Sequence, residues 1–273
     1  MGARLDITHL AHWLALGRLV RSSDGVLTRD SRRRDDILGV LDSAAHLLEY
    51  VKMRGLKRMR ESDLQWLVEQ CTREVEQLLE GGVTVIPMFD DRYPRRLFDL
   101  EKPPTTLFVK GSASLLNMDR SVAIVGTRSP SKFGADMTYR IARRLAESGF
   151  TVVSGLALGV DTRAHLGALD AHGLTVAVLP SYVGDVVPRS NSPLAHRIVS
   201  SGGALMSEYP PSSQVLRQNF VMRNRIVAAL ATVSIIIEGT MRSGTRHQAG
   251  FARNMNCLLY TSDAADEGLG VDL

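Results

Sequence analysis

The sequence predicts an α/β protein built on a mostly parallel, doubly wound sheet, with a small helical domain at its N-terminal end. Two observations lead to this fold class. From Ser121 onwards, short apolar runs that end at glycine or small polar residues alternate with longer amphipathic segments. Over residues 1 to about 80, apolar side chains instead recur at helical spacing. Strands and helices that alternate in this way form βαβ units, whose strands are parallel.

The elements follow in a regular order along the second part of the chain. Val122 to Val125 is a continuous apolar run, as expected of a strand buried on both faces. Further strands are predicted at 83–87, 151–154, 174–179, 204–207 and 233–237, and helices at 132–149, 161–172, 193–201, 221–231 and 244–255. We therefore assign a helical domain to residues 1–80 and a sheet domain to 81–256, in which 81–120 form an N-terminal extension.

Composition narrows the class of protein without naming a ligand. The 273 residues carry 33 Lys and Arg against 29 Asp and Glu, and this net charge of +4 permits a nucleic-acid partner without requiring one. Cys71 and Cys257 lack metal-ligand spacing, so neither a disulfide framework nor a metal site is predicted. No apolar run reaches the ~18 residues of a membrane span. The N-terminus also lacks the order of a signal peptide, and a cytoplasmic location is expected.

The C-terminal segment has an unusual character. From Cys257 the chain reads CLLYTSDAADEGLGVDL, and CLLYTSDAADE can be written as the in-frame translation of a transposase-type sequencing adapter. We therefore expect residues 257–273 to be a non-native tail, with the native sequence running to about Asn256. The tail begins where the next strand of the sheet is due, so its first residues could take that place through their composition alone.

The loop after the first predicted strand of the parallel sheet has features of an anion site. Ligands of open parallel sheets bind beyond the carboxyl ends of the strands. Here that segment reads GTRSP from Gly126, so a small residue lets a phosphate approach and Arg128 supplies a bidentate charge. The loop is not GxGxxG, and no acidic residue directly follows the next strand, so no dinucleotide cofactor is predicted. Taken alone, Gly126 is explained equally well by the steric requirements of a turn between a strand and a helix.

The second loop, SGLALGVD, runs from Ser154 to Asp161 and contains two glycines that permit a tight turn. Asp161 is expected to cap the helix that follows. His165 lies one turn into that helix, near enough to suggest catalysis. Without a nucleophile or a metal partner, however, it is interpreted as a structural histidine.

Four arginines fall at the same predicted edge of the sheet. Arg189 follows the third strand, and Arg223 and Arg225 lie near the start of a later helix, so all three can converge with Arg128. No carboxylate pair, Cys–His pair or Ser–His–Asp set accompanies them, which favours an anion cradle over a hydrolase. The protein is therefore predicted not to be an enzyme. Glu238 is the one possible acid or base at this edge, and it is expected to pair with an arginine instead.

Six motifs in order resemble the bacterial DprA/Smf family of DNA-processing proteins. They are AIVGTR, VVSGLALGVD followed by TRAH, AVLP with VPRSN, SEYPP, NFVMRNRIVAAL and EGTMRSGT, and together they cover about Tyr93 to Asn256. The resemblance implies an extended Rossmann-like domain that forms a homodimer and uses no cofactor. It also implies binding of single-stranded DNA in a basic pocket and loading of RecA recombinase onto incoming DNA during natural transformation. The first 80 residues match only in being helical.

Carried over by motif, the resemblance assigns residues of four segments to the DNA-binding pocket. These are Gly126, Thr127, Arg128, Arg189, Arg223, Asn224, Arg225, Ser243 and Gly244. Phe220 is the obvious aromatic residue close to the arginines. Stacking on a base and burial in the core are equally good interpretations of it.

The sequence departs from the family pattern at several positions that bear on the affinity and shape of the pocket. Leu158 stands where a Lys or Arg is usual, and Pro180 and Tyr182 replace a Gly-rich turn. Thr245-Arg246-His247 replaces a more apolar helix start. If the chain is truncated as expected, the winged-helix-like domain that often ends these proteins would be missing from it.

Two other classes of function stay open. Related Rossmann-like hydrolases release the base from nucleoside monophosphates and carry a PGG-containing loop with a catalytic Glu and Arg. The corresponding stretch here, IIIEGTMRSGT, lacks PGG. A regulatory module that senses a small nucleotide would keep the pocket without binding DNA, and a monomer that binds only nucleotides would favour it.

Overall fold

The computed structural model describes residues 5–19, 34–53, 58–211, 213–238 and 258–262. The chain forms two compact units. The first comprises Met1–Tyr93 and Lys102–Phe108, and the second comprises Pro94–Glu101 and Val109–Leu273. The short segment between Pro94 and Phe108 therefore contributes residues to each unit in turn.

The first unit is mainly helical, as the spacing of its apolar residues predicted. Its elements are α1 (Ile7–Leu19), α2 (Arg34–Leu41), α3 (Ala44–Met53), α4 (Glu61–Glu80), β1 (Val83–Pro87) and the start of β2 (Thr106–Gly111). Trp13 of α1 is buried in its core, where its ring meets Phe89 edge-on with centroids 4.9 Å apart. The indole Nε1 donates to Thr106 Oγ1 at 2.8 Å. A buried indole needs such a polar partner.

The second unit contains the parallel sheet that the alternating pattern predicted. Its strands are β3 (Ser121–Gly126), β4 (Thr151–Ser154), β5 (Thr175–Val178), β6 (Ala204–Ser207), β7 (Val233–Ile237) and β8 (Leu258–Ser262). Its helices are α5 (Lys132–Glu147), α6 (Val160–Asp170), α7 (Ser192–Ser200) and α8 (Arg217–Leu230). Neighbours in the order β6-β5-β4-β3-β7-β8 are all parallel. The predicted fold class is confirmed.

The direction in which this sheet grows reverses at β3. The chain adds β4, β5 and β6 on one side of β3 and then returns to add β7 and β8 on the other side. In the resulting register, Gly126 at the end of β3 lies beside Ile237 at the end of β7. Such a reversal leaves a crevice at the carboxyl ends of the two central strands, where open parallel sheets bind ligands.

Small side chains allow α5 and α6 to pack closely on β3 and on each other. Val122 and Ile124 of β3 share one apolar cluster with Ala142 of α5 and Ala164 of α6. A Cβ on Gly167 of α6 would clash with the backbone of α5. This close packing fixes where both helices begin, and so it positions the loops that precede them at the carboxyl edge.

Most predicted boundaries agree with the observed elements to within two residues. An exception is α8, which begins at Arg217 rather than at residue 221, because its first three residues are polar and carry no apolar signal. β8 pairs with β7 where a further strand was expected. The helix predicted at 244–255 lies outside the described residues. Within the described ranges, no helix combines the length and the apolar character that crossing a membrane requires.

Candidate nucleic-acid interface

Three loops meet at the carboxyl edge beside the reversal in strand order. They follow β3, β4 and β5 and consist of residues 127–131, 155–159 and 179–191. Thr127 joins two neighbours through its backbone: its N–H donates to the Ile237 carbonyl at 3.3 Å, and its carbonyl accepts from Val160 N at 3.1 Å. Asn191 Nδ2 donates to the Leu156 carbonyl at 2.9 Å. These bonds connect the three loops with one another and with the end of β7.

Two glycines at this edge occupy positions that no side chain fits. A Cβ on Gly126 would meet the carbonyl oxygen of Ile237 and the side chain of Val160. Gly159 has a φ of +80°, and a Cβ there would lie 2.5 Å from the Thr127 carbonyl oxygen. Close contact between backbones accounts for both glycines.

Arg128 is an exposed cation of the first loop. Its guanidinium carbon lies 5.2 Å from the centre of the Phe220 ring, within the range where an aromatic face attracts a cation. Phe220 belongs to the first turn of α8 and is half-buried. The ring is thus partly packed into the protein and partly accessible beside the arginine. Both predicted interpretations, stacking on a base and packing in the core, are compatible with this position.

Arg189 is also exposed, on a short 3₁₀ turn that follows the cis peptide bond between Val187 and Pro188. This turn is anchored by Asn191, which is buried and donates to the carbonyls of Leu156 at 2.9 Å and Ala157 at 3.3 Å. Asn191 was not among the residues predicted to have a role at this edge. Its only signal was its place in the VPRSN motif.

Arg223 is buried, with 5% of its surface exposed. Its Nη1 donates to the Val178 carbonyl at 2.8 Å, and its Nη2 lies 3.9 Å from Asp161 Oδ2. A Cβ on Gly155 would overlap the guanidinium, so the glycine makes room for it. Burial lowers the pKa of Arg223, while the charge of Asp161 acts in the opposite direction.

Asp161 does not cap α6, contrary to prediction. The helix starts at Val160 with Gly159 as its cap residue, so Asp161 lies in the first turn. Its carboxylate turns back and accepts from Ala157 N at 3.2 Å in the preceding loop. Burial raises the pKa of Asp161, and the charge of Arg223 opposes that shift.

His165 is wholly buried in α6. Its Nδ1 lies 2.7 Å from Thr175 Oγ1, and that hydroxyl donates to the Val152 carbonyl at 2.6 Å. Because the hydroxyl hydrogen is already used, Nδ1 must carry the ring proton and donate it, which leaves Nε2 unprotonated. Burial lowers the pKa of His165 to about 3, and the charge of Arg223 acts in the same direction. The imidazole is therefore a neutral part of the core.

Arg225 is buried as well and forms an ion pair with Glu208, with 2.5 Å between Nη2 and Oε2. Burial raises the pKa of Glu208, and Arg225 acts against that shift. Asn224, between the two buried arginines, is half-buried. The remaining predicted pocket residues, Ser243 and Gly244, lie outside the described residues. The four arginines that the sequence grouped together are thus two exposed residues and two buried ones.

Glu238 was predicted to pair with an arginine. Within the described part of the chain, its partner is Ser131 instead. Its carboxylate accepts from Ser131 N at 2.8 Å and from the Ser131 hydroxyl. Ser131 in turn caps α5 by accepting from Gly134 N at 3.0 Å. A carboxylate is favoured here because the free N–H groups and the dipole of a helix N-terminus attract negative charge. The first turn of α5 therefore already holds an internal anion.

Three of the residues that depart from the family pattern lie around the same edge. Leu158 is 47% exposed near the end of the second loop, so an apolar side chain stands where a cation is usual. Pro180 is buried, and its carbonyl accepts from Asn219 Nδ2 at 3.2 Å. Tyr182 is half-buried. Thr245, Arg246 and His247 are not among the described residues.

Across the ranges that the structure describes, no group of three or more His, Cys, Asp or Glu side chains could hold a metal ion. The edge instead presents two exposed arginines, one of them over an aromatic ring, above a core that holds two buried arginine–carboxylate pairs. Exposed guanidinium groups bind phosphates, and aromatic faces stack on bases.

Comparison with known proteins agrees with this chemistry. The sequence profile of the DNA recombination-mediator protein A family matches residues 84–267. The chain belongs to this family. The predicted resemblance to DprA/Smf proteins is thereby confirmed. One relative, DNA processing protein DprA of Bacillus subtilis (strain 168), is 31% identical over 197 residues, which are 72% of this chain and 65% of the relative.

Two solved structures from the recombination-mediator family are similar to the chain. DNA processing protein A from Streptococcus pneumoniae has a TM-score of 0.72 at 26% identity and covers 96% of this chain and 89% of its own. DNA processing protein A from Helicobacter pylori, whose structure describes its single-stranded DNA binding mode, has a TM-score of 0.60 at 31% identity. The match covers 66% of this chain and 80% of the Helicobacter pylori chain. The chain spans between 47% and 65% of the length of the first four curated relatives.

Proposed function

We propose that this recombination-mediator family protein binds single-stranded DNA at the carboxyl edge around Arg128. The observation that carries the proposal is the exposed Arg128 guanidinium over the Phe220 ring, 5.2 Å from its centre. The guanidinium can bind a phosphate bidentately while a base stacks on the exposed part of the aromatic ring. The single-stranded DNA binding mode of the Helicobacter pylori relative supports the same ligand for this chain.

The other residues of the proposed pocket have different parts in it. Arg189, exposed after β5, supplies a second phosphate contact. Gly126, Thr127 and Asn224 form its backbone and polar wall. Ser243 and Gly244 are assigned to the proposed pocket through the EGTMRSGT motif. Arg223 and Arg225 have little surface to offer, and each lies beside a carboxylate that offsets its charge, so they support the pocket from inside the fold.

We propose that the protein binds DNA without reacting with it. A residue that transfers a proton must reach the substrate. His165 and Asp161 are buried and hydrogen-bonded internally, and Glu238 is occupied by Ser131. These contacts support a binding role for the edge over a hydrolytic one.

We also propose that the chain acts as a homodimer that loads RecA recombinase onto single-stranded DNA entering during natural transformation. The family description as a recombination mediator supports this role. Sedimentation velocity would measure the oligomeric state. The rate of RecA filament nucleation on protein-coated single strands, followed by ATP hydrolysis, would measure loading. A monomer, or a rate unchanged by the protein, would contradict this part of the proposal.

The DNA-binding proposal is tested by fluorescence anisotropy with a labelled oligo-dT and a duplex of equal length at several salt concentrations. Wild-type protein should bind the single strand more tightly. Arg128→Ala should weaken binding by about five- to tenfold, and the slope of log affinity against log salt should become shallower by ~0.7, the value for one lost phosphate contact.

Arg144→Ala provides the matched control for Arg128→Ala. Arg144 has an 86% exposed side chain near the far end of α5, roughly 18 Å along the helix from its first turn. The two variants therefore change the net charge equally, while one of them alone alters the proposed pocket. Equal losses in both variants would show that binding follows overall charge, and no binding by the folded wild-type chain would overturn the proposal.

A further inference from the structure

The buried pair of Arg223 and Asp161 lies directly behind the exposed edge. Arg223 and Asp161 are 5% and 4% exposed, so neither reaches a ligand at the surface. The guanidinium nevertheless has fixed partners on two sides: the Val178 carbonyl at the end of β5, at 2.8 Å, and the Asp161 carboxylate, at 3.9 Å. Gly155 leaves the space that the guanidinium fills. An arginine held in this way acts on its surroundings and not on DNA.

A continuous set of contacts leads from this pair to the loop that carries Arg128. Asp161 accepts from Ala157 N at 3.2 Å and so fixes the turn of the second loop. The next residues of that turn touch the first loop, because a Cβ on Gly159 would lie 2.6 Å from the Arg128 carbonyl oxygen. Val160 N also donates to the Thr127 carbonyl at 3.1 Å. The backbone on which Arg128 is mounted thus rests on the loop that Asp161 holds.

Helix α8 contributes to both layers of this arrangement. Phe220 and Arg223 are three residues apart on α8, so they project from nearly the same face of the helix. Phe220 contacts the Arg128 side chain at the surface, while Arg223 is buried beneath the loops. One helix therefore supports the side chain of Arg128 directly and its backbone through Asp161.

We propose that Arg223 and Asp161 are positioning residues that hold the Arg128 loop in the conformation that binds a DNA phosphate. This inference rests on the proposed function of the edge. It differs from a direct DNA contact by Arg223, because it gives the acidic residue Asp161 a favourable effect on the binding of an anion. A direct contact would give Asp161 the opposite effect, since removing a negative charge near DNA strengthens binding.

The decisive variant is Asp161→Asn with Arg223→Gln, which keeps the side-chain shape at 161, replaces the guanidinium by a shorter neutral amide at 223 and leaves the net charge unchanged. Replacing both members of a buried pair is far less damaging to folding than replacing one. We expect the double variant to bind oligo-dT about five- to tenfold more weakly at one salt concentration. Asp170→Asn with Arg197→Gln is its control. It makes the same substitutions in another ion pair, in which Arg197 Nη2 lies 2.6 Å from Asp170 Oδ1. Asp170 is the last residue of α6, so this pair lies away from the edge. The control should bind like wild type.

Coupling to Arg128 distinguishes positioning from general damage to the fold. In an Arg128→Ala background, the double substitution should cause little further loss, because the residue that it positions is already absent. A further loss equal to that in the wild-type background would overturn the proposal. Asp161→Asn alone should also weaken binding where it folds, as judged by circular dichroism. Unchanged or tighter binding by the double variant would refute the positioning role while leaving DNA binding by the wild-type chain intact.

Discussion

The guanidinium of Arg128 and the ring of Phe220 are neighbours across two elements that are far apart in sequence, with 5.2 Å between the guanidinium carbon and the ring centre. Arg128 follows β3, and Phe220 lies in the first turn of α8. The contact restrains a long, mobile side chain at the edge where the strand order reverses. The pair therefore offers a phosphate-binding group whose position is set before any ligand arrives.

Phe220→Leu should weaken the binding of oligo-dT by about three- to tenfold, because the ring can no longer restrain Arg128 or stack on a base. The dependence of affinity on salt should stay the same, since no charge is removed. Anisotropy titrations at several salt concentrations would measure both quantities. Phe150→Leu is the control, because Phe150 lies under Arg120 at 4.7 Å just before β4, at the opposite edge of the sheet. Equal losses from both substitutions would contradict the prediction.

His165 should make the stability of the fold depend on pH. The pKa of His165 is lowered to about 3 from an ordinary 6.5, so between these values the unfolded chain binds a proton that the folded chain does not. The contribution of His165 to the free energy of unfolding is fully present above pH 6.5. It decreases as the pH falls below that value, by up to ~1.4 kcal/mol per pH unit.

Comparison of wild type with His165→Asn isolates this effect, because asparagine can keep the bond to Thr175 and does not titrate. Urea unfolding at pH 7, 6 and 5 would give the free energy of unfolding of both proteins. The advantage of wild type over the variant should shrink as the pH falls. A constant difference over this range would show that His165 is not the residue responsible.

Glu238→Gln should destabilise the folded protein by ~1 kcal/mol. The substitution keeps an acceptor for Ser131 N, at 2.8 Å from the carboxylate, but removes the negative charge from the N-terminus of α5. Glu238→Ala removes both and should cost more. Urea unfolding at neutral pH would rank the three proteins, and equal stability of all three would contradict the proposed contribution to the cap.

Gly155→Ala should destabilise the protein by at least ~2 kcal/mol, because the new methyl group would occupy the place of the Arg223 guanidinium. It should also weaken DNA binding, although it changes no charge. Gly17→Ala is the reference substitution, because a methyl group on Gly17 in α1 would have no neighbouring atom within 4 Å. Alanine at this helix position should raise the free energy of unfolding by ~0.5–1 kcal/mol. Unfolding and anisotropy data on both variants would test the pair of expectations.

The fold was predictable from the sequence because its signals are local. The apolar run of β3 and the glycine that ends it lie within a few residues of each other, and the same holds for β4 and Gly155. The start of α8 was less predictable. Its first three residues are polar, and Asn219 is buried there because it bonds to the Pro180 carbonyl, which no local pattern reveals.

The arginines of the candidate site show the limit of this reasoning. Arg223 and Arg225 were grouped with Arg128 because all three follow strands at one edge. Whether an arginine is buried depends on partners supplied by other elements, here Asp161 for Arg223 and Glu208 for Arg225. The sequence contained both carboxylates, but it did not indicate that they would meet these arginines.

The three-residue interval between Phe220 and Arg223 also limits how this segment can evolve. Each added or deleted residue turns the following part of a helix by about 100°. An insertion between the two positions would point one of them away from its partner even if every side chain were kept. Related chains can therefore exchange residue types within this turn of α8 more readily than they can change its length.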